Sequence, residues 1–230
     1  LKAKNIHIFE MKTKKMTKDL SNYRKSYQKQ ELLENNCPEN PMELFQTWFR
    51  NADDSNTVEE TNVMNISTIG ADGFPKNRIV LLKKITWEGF IFYTNYTSEK
   101  GQAIASNNNV CVSFFWPALE QQIIVKGKAE KLPENLSDGY FESRPDGSKL
   151  GAWASNQSTV VSSREELDKN LKMFERNFEG KEIQRPEHWG GYIVKPISIE
   201  FWQGRPNRMH DRLRYSLQKD FSWKLERLAP

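Results

Sequence analysis

The chain has 230 residues, 37% hydrophobic and 28% charged, with a formal net charge of +4. That suits a folded chain with a sizeable core and not a disordered one, and no apolar run is long enough to cross a bilayer. The Lys and Arg residues are interspersed, without a basic stripe carrying interleaved aromatics, so nucleic acid is not an expected partner; a mildly basic balance suits small phosphate ligands.

Residues 1–15, LKAKNIHIFEMKTKK, have a basic start but too short an apolar stretch for a signal peptide, and read as a disordered extension. Met16 opens a polar segment, 16–36, that is compatible with a helix and offers few core candidates. Asn40-Pro41-Met42-Glu43 is a helix start, with a capping Asn, Pro at the first helical position and Glu at the third. Leu44, Phe45, Trp48 and Phe49 then share one face of a helix ending near Asp53.

Strand signals follow: 62–70, 78–85 and 90–95, separated by Asp-Gly and Glu-Gly turns, read as antiparallel hairpins. A helix is expected over 98–107, strands over 110–116 and 121–132, and a helix over 134–143. Ser162 and Glu165 form a capping-box pattern before a helix over 163–178. Strands close the chain at 191–204, 211–217 and 221–228. The order is mainly antiparallel β with inserted helices, not a repeating βαβ, and favours a barrel. No linker divides it, so residues 16–230 read as one domain.

Two cysteines, Cys37 and Cys111, lie far apart with no Cys/His cluster. Neither a metal site nor a disulfide framework is expected, and a cytoplasmic setting fits.

Several segments carry chemistry-bearing residues. In RIVLLKK, Arg78 and Lys83 flank four apolar residues on a strand. In YTNYTSEKGQ, Ser98 and Lys100 lie at a helix start, where free N–H groups and the dipole favour phosphate; Glu99 there has the wrong sign. Tyr140, Arg144 and Ser148 recur at spacings of four and supply a phenol, a guanidinium fork and a hydroxyl for one phosphate. Gln122, Gln157 and Ser158 are polar groups able to read a heterocycle's edge. EFWQGRPNRMHDR places Trp202 beside Arg205, Arg208, His210, Asp211 and Arg212. If that segment is extended, Arg208 and His210 point the same way, and Asp211 is available as a salt-bridge partner for Arg212.

In this order, RIVLLK, YTN-SxK, YF-SRP-GS, GAW-S-QS, WGG, FWQG-NR-HDR and a terminal RLAP, the segments resemble the pyridoxamine/pyridoxine 5′-phosphate oxidase family over roughly residues 20–230. The resemblance implies an FMN-binding split β-barrel and a homodimer with FMN at its interface. It implies oxidation of pyridoxine or pyridoxamine 5′-phosphate to pyridoxal 5′-phosphate, with O2 reduced to H2O2. It implies FMN contacts from Arg78, Ile79, Val80, Leu81, Leu82, Lys83, Tyr93, Thr94, Ser98, Lys100, Gln122, Gln157, Ser158, Trp202 and Arg212. Lys83, Tyr140, Arg144 and Ser148 would hold substrate, Arg208 and His210 would face its ring as catalytic groups, and Arg24 and Tyr27 would close over it as a lid. Glu99 stands where the family usually has Arg. A flavin reductase using a nicotinamide donor, or a non-catalytic carrier, would share the barrel; the phosphate clamp argues against the first and peroxide release would exclude the second.

Overall fold

A computed structural model describes residues 18–230. The expected extension over 1–15 lies outside the described residues. Nine strands form one antiparallel sheet: β1 Val63–Ile69, β2 Pro75–Leu81, β3 Lys84–Ile85, β4 Phe90–Asn95, β5 Asn109–Trp116, β6 Gln121–Lys131, β7 Trp189–Gln203, β8 Asp211–Leu217 and β9 Trp223–Arg227. Along the sheet the order is β2-β1-β5-β6-β7-β4-β3, with β8 and then β9 branching from β7. β2 and β3 lie at opposite ends of that order, yet only Leu82 and Lys83 separate them in the chain. Two residues can join the two ends only if the sheet curls back on itself, so the topology itself requires a barrel-like form.

β7 is the spine. Along one edge it pairs with β6 over 192–203, with a register shift at Lys126/Gly127; along the other, its first half, 189–194, pairs with β4 and its second half, 198–203, with β8. The alternation of β1, β5 and β6 puts Met64, Ile66, Val112, Phe114, Ile123 and Val125 inside, all at most 1% exposed.

Five helices decorate the sheet: α1 Pro41–Asp54, α2 Glu99–Ser106, α3 Glu134–Glu142, α4 Asp146–Ala154 and α5 Arg164–Asn177. α1 starts as its sequence requires: the Asn40 side chain accepts from the Met42 N–H, and Pro41 takes the first position. Its apolar face enters the core, where the Phe45 ring meets Phe90 at 4.6 Å and Phe114 at 5.1 Å, and Trp48 meets Phe201 at 5.2 Å. Each such fully buried aromatic contributes about 1.5–3 kcal/mol.

Three local readings are corrected. Residues 18–33 form no helix; a turn at Ser21-Asn22 and the 3-10 turn Glu34–Asn36 interrupt an otherwise irregular path. The capping box of α5 is shifted by one: Ser163 caps, accepting from the Glu166 N–H, and the Glu166 carboxylate accepts from the Ser162 N–H and hydroxyl. Residues 146–154, for which the sequence reading gives no element, form α4. Trp153 anchors it, packing on Phe174 and Phe178 and donating its indole N–H to the Gln184 carbonyl.

Candidate active site

A cavity of about 440 Å³ opens where the ends of β2 and β4 meet α2, α3 and α4. Ile79, Val80, Leu81, Lys83, Tyr93, Thr94, Lys100, Tyr140, Arg144, Ser148 and Gln157 line it, together with Asn95, Pro145 and Trp189. Eleven residues singled out across an 80-residue span of sequence thus converge on one space. Residues from both faces of β2 reach it because that strand is a sheet end and stops at Leu81. Leu82 turns inward instead and is 4% exposed.

The electrostatics of this cavity are one-sided. Lys83, Lys100 and Arg144 line it, and no carboxylate does. Lys100 is 8% exposed, and its ammonium donates only to neutral oxygens, Thr94 Oγ1 at 3.1 Å and Gln157 Oε1 at 2.8 Å. Burial, and next the Arg78 charge, push its pKa down, with Glu99 opposing. The Arg144 guanidinium lies 4.6 Å over the Trp189 ring and 5.6 Å from that of Phe141; its Nη1 is buried with no hydrogen-bond partner among the described residues. A buried cation without a counter-charge is costly, and a bound anion removes that cost. The donor set therefore fits a phosphorylated ligand.

Tyr93, Tyr140 and Trp189 stack nearly parallel, with Tyr93 to Tyr140 at 3.9 Å and Tyr93 to Trp189 at 5.5 Å. Gly191 permits the close approach of Tyr93. A Cβ on Gly191 would meet the Tyr93 ring at 2.8 Å, and one on Gly190 would meet the Tyr96 hydroxyl. The WGG stretch thus joins the clamp on α3 to the end of β4. Trp189 was not among the expected site residues, although its place in WGG was the available signal.

Ser98 is fully buried; its hydroxyl accepts from the Gly101 N–H as the cap of α2 and donates to the Asn95 carbonyl. Glu99 turns away from the cavity. Its carboxylate joins Lys76 at 2.5 Å and Arg78 at 2.8 Å, and the Lys76 hydrogen bond holds its pKa below the usual carboxylate range. Arg78 and Ser158 line a neighbouring depression with Glu99 and Gln157.

The remaining expected residues gather elsewhere. Gln122, Trp202 and Arg212 stand side by side on β6, β7 and β8, in register on one face of the sheet. The Trp202 ring lies 4.8 Å from His210 and 5.7 Å from Tyr27, and Tyr27 is 5.8 Å from His210. Arg24 is exposed and bonds only locally, to the Ser21 carbonyl. The segment before His210 is not extended, as the sequence reading supposed. Pro206–Arg208 is a 3-10 turn in which Asn207 and Arg208 take φ of 55° and 61°, leaving Arg208 exposed. His210 Nδ1 accepts the Arg205 N–H at 3.1 Å, so the neutral ring carries its proton on Nε2. Burial and then the Arg208 charge push the His210 pKa down, with Asp211 opposing.

The pairing of Asp211 with Arg212 is also corrected. Adjacent strand residues face opposite ways. Arg212 reaches the diagonal Glu200 at 2.8 Å, while Asp211 takes Arg227 at 2.7 Å and Arg205 at 3.5 Å.

Comparison with known proteins bears on this arrangement. The family model described as pyridoxamine 5′-phosphate oxidase matches residues 55–179, and that described as the pyridoxine 5′-phosphate oxidase C-terminal dimerisation region matches residues 189–230. The chain belongs to the pyridoxamine 5′-phosphate oxidase family. Its curated relatives in that family include the pyridoxine/pyridoxamine 5′-phosphate oxidases of Flavobacterium psychrophilum and Christiangramia forsetii. The first is 66% identical over 213 residues, covering 93% of this chain and all of its own; the second is 53% identical over 215, covering 94% and all of its own. Like these members, the chain is an oxidoreductase. Among solved structures, PhzG from Burkholderia lata superposes with a TM-score of 0.80 at 28% identity, over 86% of this chain and 98% of its own. An FMN-binding protein from Nostoc punctiforme, related to the family, superposes at 0.65 with 13% identity over 83% and 98%, which shows the shared split-barrel fold. Tyr140, Arg144 and Ser148 fall in the first family match, and Trp202, Arg208, His210 and Arg212 in the second.

Proposed function

We propose that the chain acts as a homodimer that holds FMN and oxidises pyridoxine or pyridoxamine 5′-phosphate to pyridoxal 5′-phosphate, with O2 as acceptor and H2O2 as product. The observation that carries this reading is the cavity lined by Lys83, Lys100 and Arg144 without any carboxylate, in a member of an oxidase family whose substrates are phosphate esters.

The Trp202–His210 cluster shares no cavity with Arg144 in one chain, yet it lies in the segment that matches the family's dimerisation region. A two-fold dimer through this region would set this cluster of one subunit against the cavity of the other, giving two equivalent sites. Lys100, Thr94 and Gln157, with Arg78 and the start of α2, would hold the FMN phosphate. Ile79, Val80 and Leu81 would lie along the ring system, and Gln122, Trp202 and Arg212 would reach it from the partner. Bound FMN would supply the acceptor for the substrate's C4′ hydride, with O2 taking the electrons on to H2O2; the alcohol gives the aldehyde directly, and the amine gives an imine that water hydrolyses to the aldehyde and ammonia.

The protein's own part is positional. Arg144, Tyr140 and Ser148 grip the substrate phosphate, a group remote from the reacting carbon, and so fix that carbon's place. Lys83 adds a cation beside it. Arg208 would stabilise the negative charge that develops as the C4′ alcohol or amine gives up its proton to water. His210 offers Nε2–H to the substrate, because its Nδ1 is held by the Arg205 N–H. Tyr27 covers the cluster. Unpaired Cys37 and Cys111 support a cytoplasmic location.

The test is direct. The purified protein, loaded with FMN, should show a flavin absorbance spectrum and consume O2 with either substrate while releasing an equal amount of H2O2. A protein that cannot be loaded, or that oxidises NADH faster than the phosphate esters, ends this reading.

A further inference from the structure

Glu120 is a buried carboxylate in an unexpected place. It sits in the turn between β5 and β6, 2% exposed, with a φ of 58° that side chains seldom adopt. Its backbone carbonyl accepts the Gly204 N–H and the Gln203 side-chain amide, which ties the turn to the end of β7. Its side chain serves a distant segment. Oε2 accepts two consecutive backbone N–H groups, Gln28 at 2.8 Å and Lys29 at 3.1 Å, and Oε1 lies 3.4 Å from the Lys25 ammonium.

These contacts fix the stretch that carries Tyr27. Tyr27 packs on Trp202 and His210, and it fits only because residue 204 is Gly, where a Cβ would meet the Tyr27 ring at 2.7 Å. Residues 30–34 have their own anchors. Arg205 donates to the Gln30 carbonyl, Leu32 donates to Asp211, and Arg227 donates to the Leu32 carbonyl and the Glu34 carboxylate. On the N-terminal side of Gln28, Arg24 bonds only locally. Glu120 is therefore the last side-chain anchor before the segment runs out over the surface.

We propose that Glu120 is a positioning residue for the oxidase reaction: it holds residues 25–29 down so that Tyr27 is set against His210 and Trp202. It acts through Tyr27 and touches no substrate. This rests on the functional reading above, but its first readout does not.

The chemistry separates two variants. Both backbone donors use one oxygen, so Glu120→Gln keeps their acceptor and loses only the Lys25 pair. Glu120→Ala loses everything and leaves the 30–34 anchors intact. Trypsin reports the segment directly, because Arg24, Lys25 and Lys29 are its cleavage points. In the FMN-loaded protein, Glu120→Ala should be cut in this segment about tenfold faster than wild type, as expected for losing hydrogen bonds to a charged group, and Glu120→Gln at close to the wild-type rate. KM for pyridoxine 5′-phosphate should rise in Glu120→Ala by about the same factor, with bound FMN and its spectrum unchanged, and Glu120→Gln should restore it. Equal trypsin rates in all three proteins overturn the proposal, whatever the activity. Faster cutting with an unchanged KM leaves Glu120 as an anchor only and overturns the positioning role. If Glu120→Ala does not fold, a Glu120→Gln protein cut as slowly as wild type supports the hydrogen-bonded anchor, and one cut tenfold faster overturns it.

Discussion

Arg144 and His210 are held at opposite ends of one strand. Arg144 lies over Trp189, the first residue of β7, and His210 lies against Trp202, the last but one. At about 3.3 Å per residue this is roughly 40 Å of strand, several times the length of a B6 phosphate. That contour is an upper bound on their separation in a curled sheet, but Arg144 lines the cavity and His210 does not, so a site that uses both would be shared between subunits.

Subunit mixing checks this. Arg144→Ala and His210→Ala homodimers should each lose most activity. After unfolding and refolding together in equal amounts, half the dimers would be mixed, and each would hold one intact and one doubly damaged site. The mixture should recover about a quarter of wild-type activity, a number fixed by the two-fold symmetry. Sites built within single chains would recover nothing.

Lys100 should show opposite effects on stability and on cofactor binding. Its ammonium is buried among neutral oxygens, a cost to the free protein that a bound phosphate offsets. Lys100→Met should raise the Tm of the FMN-free protein by a few degrees, as a roughly 1–2 kcal/mol gain would. The same variant should bind FMN on the order of tenfold more weakly, the worth of one charge-assisted contact. Thermal melts with and without FMN read both. A fall in both, or in neither, contradicts the assignment.

Glu99 stands where a phosphate-binding residue would be expected, and its effect runs through Arg78. The carboxylate holds that guanidinium at 2.8 Å and shares Lys76. Glu99→Ala should free Arg78 and tighten FMN by a few-fold, as removing one exposed competing charge does. Because Lys76 keeps the Glu99 pKa below the usual carboxylate range, this brake is constant above that range and does not vary between neutral and alkaline pH. Fluorescence titration of FMN against both proteins, at two salt concentrations, measures it. Equal affinities would show that Arg78 is not part of the phosphate site.

Much of the frame was legible in the sequence because its physics is local. β4 and β8 have the expected bounds, since alternating burial and turn residues mark both ends. The cavity's lining was legible as separate motifs, but only the closure of the sheet brings them together. The unreadable parts are those that depend on distant partners. α4 contains Gly147 and Gly151 and is held by Trp153 against α5, which overrides poor local propensity. The path of residues 24–34 is set by Glu120, Asp211 and Arg227, each at least 90 residues away, so a helix-compatible composition there said nothing of its fate. Arg212 beside Asp211 suggested a pair, and strand alternation forbade it.

His210 carries the last prediction, on pH. Its Nδ1 must stay unprotonated to accept the Arg205 N–H, a bond that fixes the ring's orientation beside Trp202. Protonation replaces that acceptor with a donor, breaks the bond and loosens the ring. The pKa of His210 lies below its ordinary value, because burial and then the Arg208 charge disfavour the imidazolium. The required neutral form therefore predominates at neutral pH and is lost as pH falls through that lowered pKa. kcat/KM should therefore be flat through neutrality and fall on the acid side below about 6.5, the unperturbed value. Removing the Arg208 charge in Arg208→Gln raises the His210 pKa, so the acid limb should move to higher pH whatever the variant does to the rate itself. His210→Asn supplies a side-chain oxygen that can accept the Arg205 N–H at every pH, so this limb should disappear. A limb that stays in place in both variants belongs to another group, and His210 would then not control the acid side of the reaction.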